Sequence, residues 1–229
     1  MQFRSRLVFA LATGALLAGC SQKGELVVDE GVGIAAIRSQ CPSVGIADYT
    51  GDVTTFRAPG ATDTANMDVS AALTNVRMKC DQDGVKLDTR QAEVRPGELV
   101  HATVSFDVLA RRTDGTGARD LNLPFFITVL RGSNAVIAKR IGTVAIHFAP
   151  GELRATGHAE GLALIDKNEA TLSRDIRDRI TKKRVAGEAD AAVDPLAQSD
   201  VQDAIARATF EVLVGFQLSD EQLTYNATR

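Results

Sequence analysis

Between Val100 and Ala110 the chain alternates apolar and polar residues: Val100, Ala102, Val104, Phe106, Val108 and Ala110 share one parity, and His101, Thr103, Ser105 and Asp107 share the other. Successive side chains of a β-strand point to opposite faces, so this rhythm predicts a long strand with one face buried. Leu121, Leu123, Phe125, Ile127 and Val129 repeat it. So do Ala208, Phe210, Val212, Val214, Phe216 and Leu218, set against Arg207, Thr209, Glu211 and Gln217. Half-buried strands of this length must cover their apolar faces with another layer, and that requirement narrows the fold more than any other feature.

Further strands are predicted near residues 33 to 38, 52 to 57, 67 to 80, 85 to 90, 98 to 111, 121 to 130, 135 to 148, 154 to 165 and 205 to 218. Turn residues punctuate them at Asp83-Gly84, Pro96-Gly97, Asp114 to Gly117, Arg131 to Asn134 and Pro150-Gly151. Within 67 to 80 the apolar phase changes: Met67, Val69, Ala71 and Leu73 hold one parity, and Val76, Met78 and Cys80 the other. A one-residue slip reverses every later side chain, so a β-bulge or a sheet switch is predicted near Thr74-Asn75. Pro124 lacks an N–H and predicts a sheet edge or bulge at its position. Strands spaced by about ten residues, with no helix before residue 167, predict an all-β, antiparallel sandwich. The arrangement resembles an immunoglobulin or fibronectin type III domain, a likeness of strand rhythm alone. The Cys, Trp, Cys pattern of true immunoglobulin domains is missing, since the chain has no Trp, and no function follows from the fold.

One segment departs from this rhythm. From Asp166 to Arg184, Leu172, Ile176 and Ile180 recur every four residues, which predicts an amphipathic surface helix over about 167–184, inserted before the last strand. Arg174, Arg177, Arg179, Lys182, Lys183 and Arg184 surround the seam, offset by Asp175 and Asp178. These cations are candidate contacts for anionic lipid head groups. The alternative, which the pattern favours, is a solvated helix face with ion pairs such as Asp175 with Arg179 and Asp178 with Lys182. Residues 185–203, rich in Ala and Asp, read as a flexible acidic loop. Over 219–229, Ser219 followed three residues later by Gln222 predicts a capped terminal helix that packs Leu223 and Tyr225 on the sandwich.

At the other end of the chain, Arg4 and Arg6 precede an uncharged apolar run from Leu7 to Ala18 that ends in Leu17-Ala18-Gly19-Cys20. This is the layout of a secretory signal over residues 1–19. The run is shorter than the roughly 20 residues that span a bilayer. The Leu-Ala-Gly-Cys tetrapeptide resembles the lipobox of bacterial lipoproteins. That resemblance implies a diacylglycerol on the Cys20 thiol, cleavage before Cys20 and acylation of the new amino group, while the short, partly charged stretch that follows reads as a tether over 20–32 leading to the sandwich domain over 33–218. Two or three acyl chains hold a protein lastingly on a membrane. Ser21 stands where an Asp favours inner-membrane retention in well-studied bacteria, so the resemblance points to the outer membrane, facing the periplasm. The alternative is an ordinary cleaved signal with Cys20 free or disulfide-bonded.

With Cys20 assigned to lipid, Cys41 and Cys80 remain as an even pair in an oxidising compartment, where a disulfide is expected. A two-thiol metal site or two inert buried thiols are the alternatives. Removal of Arg4 and Arg6 moves the formal charge from −3 to about −5, a mild acidity without a nucleic-acid footprint.

Chemistry leaves little trace. His101, His147 and His158 fall on separate strands without the spacing of a metal cage, and they read as half-exposed strand residues. No nucleophile elbow, zinc-protease helix or phosphate loop occurs. Gly31-Val32-Gly33 lacks the context of a dinucleotide fingerprint. Asp107, inside a strong strand, alternates onto the polar face, where a carboxylate needs no special account. No cofactor and no metal are expected. Three functions fit: a non-catalytic envelope module that binds a protein partner, a carrier of an apolar or lipid ligand between the sheets, and a hydrolase with a site assembled from loops. The first is favoured.

Overall fold

The structure, a computed structural model, describes residues 41–81, 98–182 and 193–229. Among these residues eight strands form two sheets. β1 (Ser43–Ile46), β8 (Phe210–Phe216), β5 (Arg119–Arg131) and β6 (Ala135–Phe148) lie in that order in one sheet, and β2 (Asp52–Phe56), β3 (Met67–Asp81), β4 (Leu99–Arg112) and β7 (Arg154–Asp166) in the other. The chain is therefore a mostly-β, two-sheet sandwich. One pairing departs from the expected antiparallel scheme: β1 runs parallel to β8, from Ser43 opposite Glu211 to Ile46 opposite Val214. The predicted strands near 33 to 38 and 85 to 90, and the turns at Asp83-Gly84 and Pro96-Gly97, lie outside the described residues.

The alternating pattern becomes the core. Val104, Phe106 and Val108 of β4 face Phe125 and Ile127 of β5 and Val212 and Val214 of β8, all buried in one cluster. The Phe106 and Phe125 rings meet edge to face at 4.9 Å and join the two sheets, a geometry that matches the positive rim of one ring to the negative face of the other. The edge strand β6 makes room for this contact with Gly142, where an added Cβ would come within 2.5 Å of the Phe125 ring.

The phase change in β3 is a bulge. Thr74 faces Asp107 and Arg77 faces Ser105, so β3 carries one more residue than β4 across this step. Asn75 takes a φ of +52° there, the left-handed conformation that Asn tolerates better than most residues. Pro124 sits in a central strand, but its carbonyl accepts from Gln217 N–H, just past the end of β8. Its missing N–H therefore faces a point where the neighbouring strand has finished, a local edge.

Two predictions near the C-terminus need correction. The acidic segment does not run as a loop to residue 203: α2 (Ser199–Arg207) forms there, with Val201 fully buried. The last strand starts at Phe210, not 205, because Ile205 to Arg207 belong to α2. Val201 and Ile205, four residues apart, supply a helical seam that competes with the alternation beyond Ala208. The inserted basic helix is also shorter than predicted. α1 spans Arg174–Thr181, capped by the Ser173 hydroxyl accepting from Ile176 N–H. Before it, Asp166 accepts from Asn168 and Ala170 in turns that hold Leu172 outside the helix.

α3 (Asp220–Thr228) carries the predicted capping box. The Ser219 hydroxyl accepts from Gln222 N–H at 3.3 Å, and Gln222 Oε1 accepts from Ser219 N–H at 2.9 Å. Tyr225 packs edge to face on Phe56 of β2 with ring centroids 5.1 Å apart. Leu223 is exposed instead of packing. Asn226 takes the buried position, where its amide donates to the Tyr49 and Asp52 carbonyls at 2.8 Å each.

Candidate functional site

The expected disulfide joins Cys41 to Cys80. Cys41 precedes β1, and Cys80 faces Ala102 on β4, so the bond links one sheet to the other. By strand register this is the end of the sandwich where α2 leads into β8 and β7 runs out toward α1. Cys41, the first described residue, therefore lies at the end of the sandwich that carries α1 and α2. Cys20 itself lies outside the described residues, as do Lys183 and Arg184.

At that end the basic helix is partly neutralised by its neighbour. Arg179 donates to Asp200 of α2 at 2.6 Å and also to Gln198, while Asp175 lies 3.9 Å away. The Asp200 carboxylate raises the Arg179 pKa, and Arg179 holds Asp200 below the ordinary carboxylate range. Arg174 and Lys182 are exposed, and Arg177 is half-buried. Arg174, Arg177 and Arg179 thus sit on one short helix with Lys182 at its C-cap, and Arg179 is directed at α2. No helix among the described residues is long and apolar enough to cross a membrane.

A different surface has an open hydrogen-bonding edge. Among the described residues β6 has a sheet neighbour on one side only, β5. Its C-terminal half buries Val144, Ile146 and Phe148, but residues 135–141 are exposed throughout. Val136 and Ile141 are 64% and 65% exposed, and Ile137 accompanies them. An edge strand presents unpaired N–H and C=O groups, and apolar side chains beside them make it a template for another strand. Lys139, which lies 4.7 Å over the Phe126 ring, and Arg140 interrupt this apolar run. Charges of this kind discourage indiscriminate edge pairing.

The outer face of the second sheet gathers polar groups that sequence order keeps apart. Asp107 on β4 stands opposite His158 on β7, and its Oδ1 lies 2.9 Å from His158 Nδ1. Asn75, in the bulge, donates to Asp107 Oδ2 at 2.8 Å, and Arg77 donates to Asn75. Glu160 lies 3.5 Å from His158 Nε2. Asp107 and then Glu160 raise the His158 pKa, and His158 and then Asn75 lower that of Asp107. His147 pairs with Asp120 at 2.6 Å, and His101 is exposed on its own strand. The three histidines are not brought together. Among the described residues no group of three or more His, Cys, Asp or Glu is placed to hold a metal ion.

Sequence reasoning missed Arg112, the largest fully buried side chain among the described residues at 1% exposure. Its Nε donates to the Glu152 carbonyl at 2.7 Å, and Nη2 to the carbonyls of Gly115, Gly117 and Ala149. The guanidinium also lies 5.0 Å over the Phe148 ring. It ties the β4–β5 turn to the β6–β7 turn. The signal was available: Arg112 continues the inward parity of Val108 and Ala110. Comparison with protein-family models, with curated proteins and with solved structures finds no match to this chain.

Proposed function

We propose that this chain is a lipid-anchored module of the bacterial envelope that binds a protein partner and catalyses no reaction. The reading combines a lipid-modified Cys20, a domain of immunoglobulin-like type, and a position on the outer membrane facing the periplasm. The edge of β6, which has no strand beside it among the described residues, carries it: the backbone groups of residues 135–141 on that side are flanked by exposed Val136, Ile137 and Ile141. A partner strand laid along this edge would gain main-chain hydrogen bonds from the backbone and specificity from the alternating side chains. The immunoglobulin-like reading is supported by the two four-stranded sheets, the disulfide between them and the closure of the first described strand on the last. The close packing of Phe106 and Phe125 between the sheets favours a binding module over a carrier that would hold its ligand there.

The test is crosslinking of the full lipidated protein in its own membrane, followed by affinity purification and mass spectrometry. Cys20→Ser serves as the unanchored control and Ile141→Glu as the edge variant. A discrete partner recovered near one-to-one, lost with Cys20→Ser and depleted at least about tenfold with Ile141→Glu, is the expected result. Recovery of no protein above background overturns the binding-module reading. A partner that ignores Ile141→Glu overturns the β6 edge as its docking site.

A further inference from the structure

The outer face of the β2–β3–β4–β7 sheet sets most of its charges in complementary or neutral cross-strand pairs, with one exception. Along the β4–β7 register Asp107 faces His158 and Ser105 faces Glu160, but Arg111 faces Arg154. Like charges directly opposite one another destabilise a sheet. Among the described residues, no acceptor bonds either guanidinium. Both side chains are exposed, so nothing in the packing of the domain requires two cations there.

What surrounds them is shaped. Ser70 follows Arg111 on β3 and Thr54 follows on β2, and the adjacent row holds Ala72 and Leu109. These residues line a groove of about 660 Å³, within the range of roughly 300 to 1,000 Å³ common for small-molecule sites. Leu109 is 51% exposed on its floor. Thr54 is only 3% exposed, yet it lines the groove and its hydroxyl has no hydrogen-bond partner among the described residues. At one end Arg229 is bonded to Asp52 and lies 5.4 Å over the Tyr225 ring, so its charge is already met within the chain. The unmet charge belongs to Arg111 and Arg154.

We propose that this groove binds a small amphiphilic oxyanion, with a carboxylate or phosphate head between Arg111 and Arg154 and a short apolar body on Ala72 and Leu109. Guanidinium groups match both kinds of head through paired N–H donors, and a bound anion converts a repulsive pair into a clamp. The hydroxyls of Ser70 and Thr54 stand next in the same row for a second polar atom. Four strands at about 4.8 Å spacing give the trough a length of roughly 14 Å. That suits a small molecule better than a protein segment, whose interfaces bury about 800 Å² per partner. The site is on a different sheet from the β6 edge and stands or falls independently of it.

The test is calorimetric and NMR titration of the full chain carrying Cys20→Ser, so that no acyl anchor competes with the probes. The probes are hexanoate, hexyl phosphate, hexanol and inorganic phosphate. Saturable binding of hexanoate or hexyl phosphate is expected, at least about tenfold tighter than hexanol and inorganic phosphate, with shifts at Ala72 and Leu109. The tighter of the two amphiphiles identifies the head group. Arg111→Gln and Arg154→Gln should each weaken that binding about tenfold or more, while their melting temperatures without ligand do not fall below the parent's. Hexanol binding as well as hexanoate would remove the arginines from the site. Inorganic phosphate binding as well as hexyl phosphate would remove the apolar floor. No saturable binding of either amphiphile, or unchanged affinity in both arginine variants, overturns the proposal.

Discussion

His158 Nδ1 lies 2.9 Å from Asp107 Oδ1, directly across the β4–β7 register, so one hydrogen bond links two residues on neighbouring strands that are 51 residues apart in the chain. Asp107 and Glu160 raise the His158 pKa above 6.5, and His158 and Asn75 hold Asp107 below 3.8. The signs differ. His158 contributes stability that is fully present below pH 6.5 and is lost as pH rises through its raised folded pKa. Asp107 contributes stability present above pH 3.8 and lost as pH falls through its lowered folded pKa. The pair is therefore complete between the two folded pKa values and weakens as pH rises through the raised His158 pKa. An NMR titration of the His158 ring should give a pKa above 6.5, and Asp107→Asn should bring it down. An unshifted pKa in the parent protein would mean that the contact is not formed in solution.

Arg112 provides a second prediction, since its guanidinium serves four carbonyls in two turns from a fully buried position. Replacing it with Met keeps much of the volume and leaves those acceptors without their donor. The expected loss is about 3 kcal/mol, the scale of breaking a buried, charge-assisted network by removing one partner. Arg112→Lys should recover little, because one ammonium cannot reproduce a planar fork aimed at separate turns. Urea unfolding measures both, and a loss below about 1 kcal/mol for Met would show that the turns hold without the arginine.

The alternation of β4 was legible because it is local: every second residue from Val100 to Ala110 is apolar, and every one of them is buried. The bulge at Asn75 was equally legible as a change of parity. β1 was not, because its four residues carry no pattern and become a strand only by pairing with β8, far away in the chain. The Asp107–His158 pair was hidden for a similar reason. Both residues were visibly on polar faces, but which polar residues meet depends on the β4–β7 register, and that is set by turns and packing. At α2 two local signals competed: the alternation could be extended back past Ala208, and the four-residue spacing of Val201 and Ile205 won.

The disulfide closes a separation of 39 residues. On the chain-entropy model a loop of that size restricts the unfolded ensemble by about 4 kcal/mol. Cys41→Ser, Cys80→Ser and the double variant should lose nearly the same stability, since each removes the same single constraint. Denaturant unfolding of the three decides this. A double variant that unfolds at the parent's midpoint would show that the bond adds nothing. Alkylation of the unreduced Cys20→Ser protein should label no thiol at either position.

Gly142 and Phe125 supply the last prediction, because the contact that joins the sheets depends on the absence of a side chain on the edge strand. An added Cβ at Gly142 would lie 2.5 Å from the Phe125 ring, far inside van der Waals contact. Gly142→Ala should therefore force Phe125 out of its edge-to-face arrangement with Phe106 and cost about 1 to 3 kcal/mol, the range of overpacking in a dense core. Phe125→Leu alone should also destabilise the domain by leaving a gap. In the double variant the smaller leucine accommodates the new methyl group, so the combined loss should fall short of the sum of the single losses by at least about 0.5 kcal/mol. Strict additivity in thermal or denaturant unfolding would mean that the two positions do not touch, and the glycine would then owe its place on β6 to something other than the ring.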